Sequence, residues 1–113
     1  MEQDVIIFDL QAQLCKVLGN SVRLQIVDSL KEGPKCVNEI VAILENQSQP
    51  TISRHLSVLR SAGILSTQRH GVEVIYEITN PKIVDVCEMM RSILAERESH
   101  YMELLQRLQG EKD

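Results

Sequence analysis

Apolar residues recur at helical spacing in five stretches of this chain and at alternate positions in one. Ile6, Ile7, Leu10, Leu14, Val17 and Leu18 predict a first helix from about Asp4 to Leu18, broken by Gly19-Asn20. Asn20 is a capping residue for a second helix, Ser21 to about Glu32, with Val22, Ile26, Val27 and Leu30 facing inward. Gly33-Pro34 ends it. A third helix, about Val37 to Leu44, buries Val37, Ile40, Val41 and Leu44. The polar connection Glu45-Asn46-Gln47 leads to Ser48, the cap of a fourth helix that stops at Gly63 and places Ile52, Leu56 and Leu59 on one face. The period then changes to two. Val72, Val74, Tyr76 and Ile78 mark a strand, and Leu65 to Arg69 can pair with it across a turn at His70-Gly71. Asn80-Pro81 opens a last long helix, apolar at Ile83, Val84, Cys87, Met90, Ile93, Leu94, Tyr101, Leu104, Leu105 and Leu108.

Four helices, a hairpin and a fifth helix give a mainly α fold with a small β-hairpin, in the order of a winged helix-turn-helix (α1-α2-α3-α4-β-β-α5). No linker, repeat or low-complexity stretch divides the chain, so residues 1–113 are expected to form one domain. The last helix carries more apolar surface than so small a domain can cover. A second copy of the chain is expected to cover it, with dimerisation helices at about 4–18 and 81–108.

Chemistry concentrates on the fourth helix. Gln49, Thr51, Ser53, Arg54, Ser57 and Arg60 surround its apolar stripe, and such side chains can touch phosphates and base edges without filling a core. From Gln47 to Val72 there is no Asp or Glu, whereas Arg54, Arg60 and Arg69 are present. A surface lying against DNA has reason to exclude acid so strictly. The net charge of −4 argues against nucleic acid at first sight. The distribution reverses that inference, because the acid is concentrated towards the two ends. Phe8, Tyr76 and Tyr101 are the only aromatics, too few for base-stacking recognition of single strands or RNA.

No run of 18 apolar residues predicts a membrane span, and Met1-Glu2-Gln3-Asp4 lacks the basic start of a secretory leader. Three widely spaced cysteines, Cys15, Cys36 and Cys87, do not form a secreted disulfide framework, so a reducing cytoplasm is the expected location. Cys36, His55 and His70 offer no catalytic order, and phosphate-loop and metal-hydrolase spacings are missing. The chain does not read as an enzyme.

From about Leu14 to Ile78 the chain resembles the ArsR/SmtB family of metal- and stress-responsive repressors. The resemblance rests on Leu18-Gly19-Asn20-Ser21-Val22-Arg23-Leu24-Gln25-Ile26-Val27 and on Gln49-Pro50-Thr51-Ile52-Ser53-Arg54-His55-Leu56 with Leu59-Arg60. Ala62-Gly63-Ile64, Arg69-His70-Gly71 and Tyr76 complete it. It implies a homodimer that binds an inverted repeat in double-stranded DNA and releases it when an effector binds. By the same similarity Gln49, Thr51, Ser53, Arg54 and Ser57 would enter the major groove or brace phosphates. Arg69 and His70 would bring the wing to the backbone or minor groove. His55 has two readings, a DNA contact or a hydrogen bond to a neighbouring element.

Cys36, in Lys35-Cys36-Val37-Asn38-Glu39-Ile40, resembles the family's metalloid site, where two cysteines one residue apart open the third helix; here Asn38 stands in the second place. A soft ion such as arsenic, antimony or cadmium wants two to four thiolates, so Cys15 and Cys87 would have to converge on Cys36 by folding or across a dimer. The bland reading of Cys15 and Cys87 is as small core hydrophobes. At a helix start beside Lys35, the Cys36 thiol is expected to have a lowered pKa and to suit thiol oxidation as an alternative signal. The resemblance places the family's other site, between the last helices, on Asn80, Lys82, Ile93 and Glu96, two of which are not ligands. Glu96, His100 and Glu103 share a helical face that could bind a metal between protomers but reads as a solvated one with ion pairs. No cofactor is expected to be needed for folding. Competing readings are a constitutive DNA-binding regulator without a sensor, and a protein-interaction module that keeps the fold.

Overall fold

The computed structural model describes residues 2–99, 103, 106 and 107. The elements run α1 (Glu2–Leu18), α2 (Ser21–Ser29), β1 (Lys35–Cys36), α3 (Val37–Ile43), α4 (Gln49–Ser61), β2 (Leu65–His70), β3 (Glu73–Ile78) and α5 (Lys82–Arg97). Asn20 caps α2 as expected, its Oδ1 accepting from the backbone N–H groups of Val22 and Arg23. α2 ends three residues before the expected Glu32. Bonds from Lys31 N to the Asp28 carbonyl and from Gly33 N to the Leu30 carbonyl tighten its tail into 3₁₀-like turns ahead of Pro34.

The sheet departs from the expected hairpin. It has three strands in the order β1-β3-β2, all antiparallel, with Lys35 opposite Tyr76 and Cys36 opposite Ile75. The extra strand is two residues long, too short for any alternation to show in sequence. It makes β3 the interior strand and ties the hairpin to the start of α3. The two residues at the hairpin tip are Gly71 and Val72, since His70 pairs with Glu73. Gly71 has φ +65° and among the described residues no non-glycine residue has positive φ, the pattern of a type II′ turn. Val72 therefore belongs to the turn rather than to the strand alternation, and it is 94% exposed.

The core joins Leu18, Ile26, Val27, Leu30, Ile40, Leu44, Ile52, Leu56, Leu59, Ile64, Leu65 and Cys87. α4 contributes its whole apolar stripe to this core. After it, Gly63 (φ +78°) closes a Schellman motif: Gly63 N donates to the Arg60 carbonyl and Ile64 N to the Leu59 carbonyl, both at 3.0 Å. Leu59 and Ile64, the apolar pair that accompanies this motif, are both buried. Thr79 N donates to the Ile64 carbonyl at 3.0 Å, holding the end of β3 against the exit from α4.

α1 and α5 behave differently. Val5, Ile6, Ile7, Phe8, Leu10 and Leu14 of α1 are exposed, as are Val86, Met89, Met90, Ile93 and Leu94 of α5. Among the described residues of α1, Leu18 and half-buried Val17 bring it into the core. The radius of gyration is 17.2 Å, against about 13 Å for a compact chain of this length. The expected apolar positions Tyr101, Leu104, Leu105 and Leu108 lie outside the described residues. No helix among the described residues is long and apolar enough to cross a membrane.

Leu56→Ala should lower unfolding free energy by about 2–5 kcal/mol, since the site is fully buried between packed elements. Gly63→Ala should cost about 1–2 kcal/mol through left-handed backbone strain alone, because a Cβ there meets nothing within 4 Å. Urea titrations of both variants check these values.

Candidate nucleic-acid interface

One helix and a hairpin build the candidate surface. Ser48 starts α4: its Oγ accepts from Thr51 N at 3.3 Å and lies 2.9 Å from Thr51 Oγ1. Pro50 sits in the first turn, where no intrahelical N–H partner is lost. Ile52, Leu56 and Leu59 are buried completely. With that face fixed, Gln49, Arg54, Ser57 and Arg60 are exposed, and Thr51 and Ser53 are half-buried. Arg54 Nη2 is 3.5 Å from Thr51 Oγ1, a loose contact that leaves the guanidinium available.

The hairpin supplies the second part. Gln68, Arg69 and His70 are exposed at the end of β2. His70 Nε2 lies 3.4 Å from Gln68 Oε1. Among the described residues no ion pair involves Arg54, Arg60 or Arg69. Glu73, opposite His70, is the first acid after this surface. The fold thus brings an acid-free recognition helix and a cation-bearing hairpin onto one rigid core, joined through the contact of α4 with β2.

His55 is oriented differently from its neighbours on α4. It is half-buried, and its Nδ1 accepts a hydrogen bond from Arg23 Nε of α2 at 3.1 Å. Burial first, then the nearby charges of Arg23 and Arg54, push its pKa below the ordinary histidine value. Of the two readings of His55, the bond to a neighbouring element is the one observed. Arg23 had no assigned role in the sequence. Its contact with His55 spans 32 positions, and no local spacing signals it.

The cysteines separate. Cys36 is 8% exposed and occupies the N-cap of α3. Its backbone N–H donates to Glu39 Oε1 at 3.0 Å. That bond, then one from the Cys36 thiol, then the charge of Lys35, hold the Glu39 carboxyl below its usual range against slight desolvation. A shallow cleft of about 220 Å³ connects Cys36 with Gln49 at the start of α4 and with Val72 and Glu73 of the hairpin. Cys87 is a core residue, 2% exposed; burial pushes its thiol pKa up, Asp28 adds to this and Arg91 opposes it. Cys15 is exposed on α1, which corrects its reading as a core hydrophobe of this protomer. All three are free thiols, and among the described residues no three His, Cys, Asp or Glu side chains are grouped to hold a metal. His100, of the Glu96–His100–Glu103 face, lies outside the described residues.

Comparison with known proteins agrees with this geometry. Residues 20–67, which hold α2, α3, α4 and the start of β2, match the family model for bacterial regulatory proteins of the arsR family. The repressor SmtB of Mycobacterium tuberculosis is 35% identical over 80 residues, 71% of this chain; the match spans only 58% of that relative's length. The biofilm growth-associated repressor of Xylella fastidiosa is 37% identical over 90 residues, 77% of this chain and 75% of the relative. Among solved structures, a homodimeric winged helix-turn-helix DNA-binding domain of a possible ArsR-family regulator from Mycobacterium bovis superposes with a TM-score of 0.76 at 26% identity. That match covers 88% of this chain and 92% of the other. With a recognition helix, a hairpin wing and these relatives in agreement, the chain belongs to the ArsR family of bacterial regulatory proteins, a family of regulators and not of enzymes.

Proposed function

We propose that this protein is a homodimeric transcriptional repressor that binds an inverted-repeat operator in double-stranded DNA and is released by chemistry at a thiol. The observation that carries the reading is the outer face of α4: exposed Gln49, Arg54, Ser57 and Arg60, with Thr51 and Ser53 beside them and no acid on the helix itself. In this reading the helix lies in the major groove. Ser53, Arg54 and Ser57 meet base edges or phosphates, and Gln49, Thr51 and Arg60 brace the flanking backbone. Arg69 and His70 carry the hairpin to the neighbouring phosphates or minor groove. The exposed apolar faces of α1 and α5 are the dimer surface, supported by the uncovered Phe8, Leu10, Met90 and Ile93. Residues 1–113 then act as one DNA-binding domain, and the setting is the cytoplasm.

Cys36 is the candidate effector residue, because the cleft beside it reaches both Gln49 and the hairpin tip. The donor set of one protomer does not fit a soft metal or metalloid, since Cys15 is exposed on α1 and Cys87 is enclosed in the core. An arsenic, antimony or cadmium ion would need thiolates from both protomers, so no step is assigned to one. A thiol modification needs only Cys36. The burial of Cys36 favours one second reading, a constitutive regulator in which no reagent reaches this sulfur.

Arg54→Ala should weaken binding to a duplex selected from a random pool by about 1–3 kcal/mol. Fluorescence anisotropy gives this value; wild-type affinity in the variant would count against the assignment. Affinity of the wild-type protein should also fall steeply with salt, whereas a protein-interaction module would show a flat response. Cys36→Ser should bind the duplex normally and lose release by peroxide or persulfide, a coupling of about 1–3 kcal/mol. The same titrations with arsenite and cadmium, run on all three Cys→Ser variants, separate ion binding from oxidation. An unaltered response in Cys36→Ser removes this residue from the mechanism.

A further inference from the structure

Arg23 of α2 reaches two neighbours at once. Its Nη1 donates to the Val17 carbonyl in the last turn of α1, and its Nε donates to His55 Nδ1 on α4, each at 3.1 Å. The Val17 carbonyl is one of the last four of α1, which have no partner within their own helix. A guanidinium is a donor only. His55 Nδ1 must therefore accept, which puts the single ring proton on Nε2 and requires a neutral imidazole. The charged groups that bear on His55 are Arg23 from α2 and Arg54 on α4 itself, and among the described residues no carboxylate opposes them. From α1 the bridge receives only an uncharged carbonyl.

We propose that Arg23 is a positioning residue that fixes the recognition helix α4 to the end of α1, and that proton uptake at His55 Nδ1 breaks this bridge and weakens DNA binding. The proposal rests on the homodimeric DNA-binding reading. α1 carries exposed apolar surface for a second copy, so its end is a reference point for the dimer. The two α4 helices must stand about 34–36 Å apart to enter successive major grooves, and a shift of α4 relative to α1 changes that spacing in both protomers. A proton from solvent on Nδ1 removes the acceptor and sets two cations against each other. The linkage has a definite sign. The folded pKa is lowered, so the bridge contributes in full above the unfolded value of about 6.5. As pH falls below it, the unfolded chain takes up the proton first and stability is lost, until the folded ring titrates too.

The test compares wild type, Arg23→Lys and His55→Asn at about pH 7.5 and about pH 5.5. The readouts are anisotropy with the pool-selected duplex and nitrogen NMR of the imidazoles in DNA-free protein. Lysine keeps the charge but cannot span both acceptors. Asparagine keeps an acceptor near Nδ1 and does not titrate. The wild-type His55 ring should show the Nε2–H tautomer at the higher pH, and its Kd should rise about tenfold at the lower. His55→Asn should lose that pH response; His70 and His100 are present in both proteins, so the difference reports His55 alone. Arg23→Lys should bind about tenfold more weakly at the higher pH, with unchanged dimer mass and helix content. Equal pH responses in wild type and His55→Asn, or wild-type affinity in Arg23→Lys, would overturn the proposal while leaving the DNA-binding reading intact. If the NMR shows the bridged ring but the pool yields no bound duplex, the DNA-binding reading fails and this inference with it.

Discussion

Every property of the candidate surface depends on the complete burial of Ile52, Leu56 and Leu59. Burying each such side chain contributes about 1.5–3 kcal/mol relative to exposure, which is large against the total stability of a small domain. The consequence is one of orientation. A helix pinned along one stripe has no freedom to roll, so Arg54, Ser57 and Arg60 are held outward by the backbone, with no tertiary hydrogen bond or ion pair of their own among the described residues. The ends are fixed as firmly. Ser48 satisfies the first turn, and the Gly63 motif satisfies the last while pairing Leu59 with Ile64. A reader of base edges needs this combination of a fixed axis with uncommitted side chains.

The helices and the hairpin were legible in the sequence because their causes are local. Asn20 and Ser48 each precede an apolar stripe, and Gly63 and Gly71 sit where positive φ is required. The acid-free stretch from Gln47 to Val72 was readable for the same reason, being contiguous in the chain. β1 was not legible, since two residues carry no period and their strand character comes only from pairing with Tyr76 and Ile75. The Arg23–His55 contact was hidden because it joins α2 to α4, and only folding brings them together. Cys15 and Cys87 show the same limit. Both occupy apolar positions of amphipathic helices, yet one faces away from the protomer's core and the other is enclosed in it. Periodicity defines an apolar face but not whether the chain's own core or another surface covers it.

That ambiguity bears on the fold as a whole. α1 and α5 hold much of the chain's apolar surface and give little of it to the core, so the protomer is more extended than a compact chain of its size. The acid is also unevenly placed. Asp4 and Asp9 lie on α1, and Asp85, Glu88 and Glu96 on α5, whereas α4 and β2 carry none. A protein arranged in this way has a net negative charge that does not oppose its approach to a polyanion uniformly. Repulsion acts where acid exceeds base, on α1 and on β3, and attraction acts at α4 and β2; on α5 Lys82, Arg91 and Arg97 balance Asp85, Glu88 and Glu96. Wrong orientations are disfavoured before contact, and the exposed arginines act at short range, within a Debye length of about 8–10 Å in physiological salt. The overall charge of −4 is thus compatible with a nucleic-acid surface because the sign of the field is set by position along the fold, and position follows from which helices the core buries.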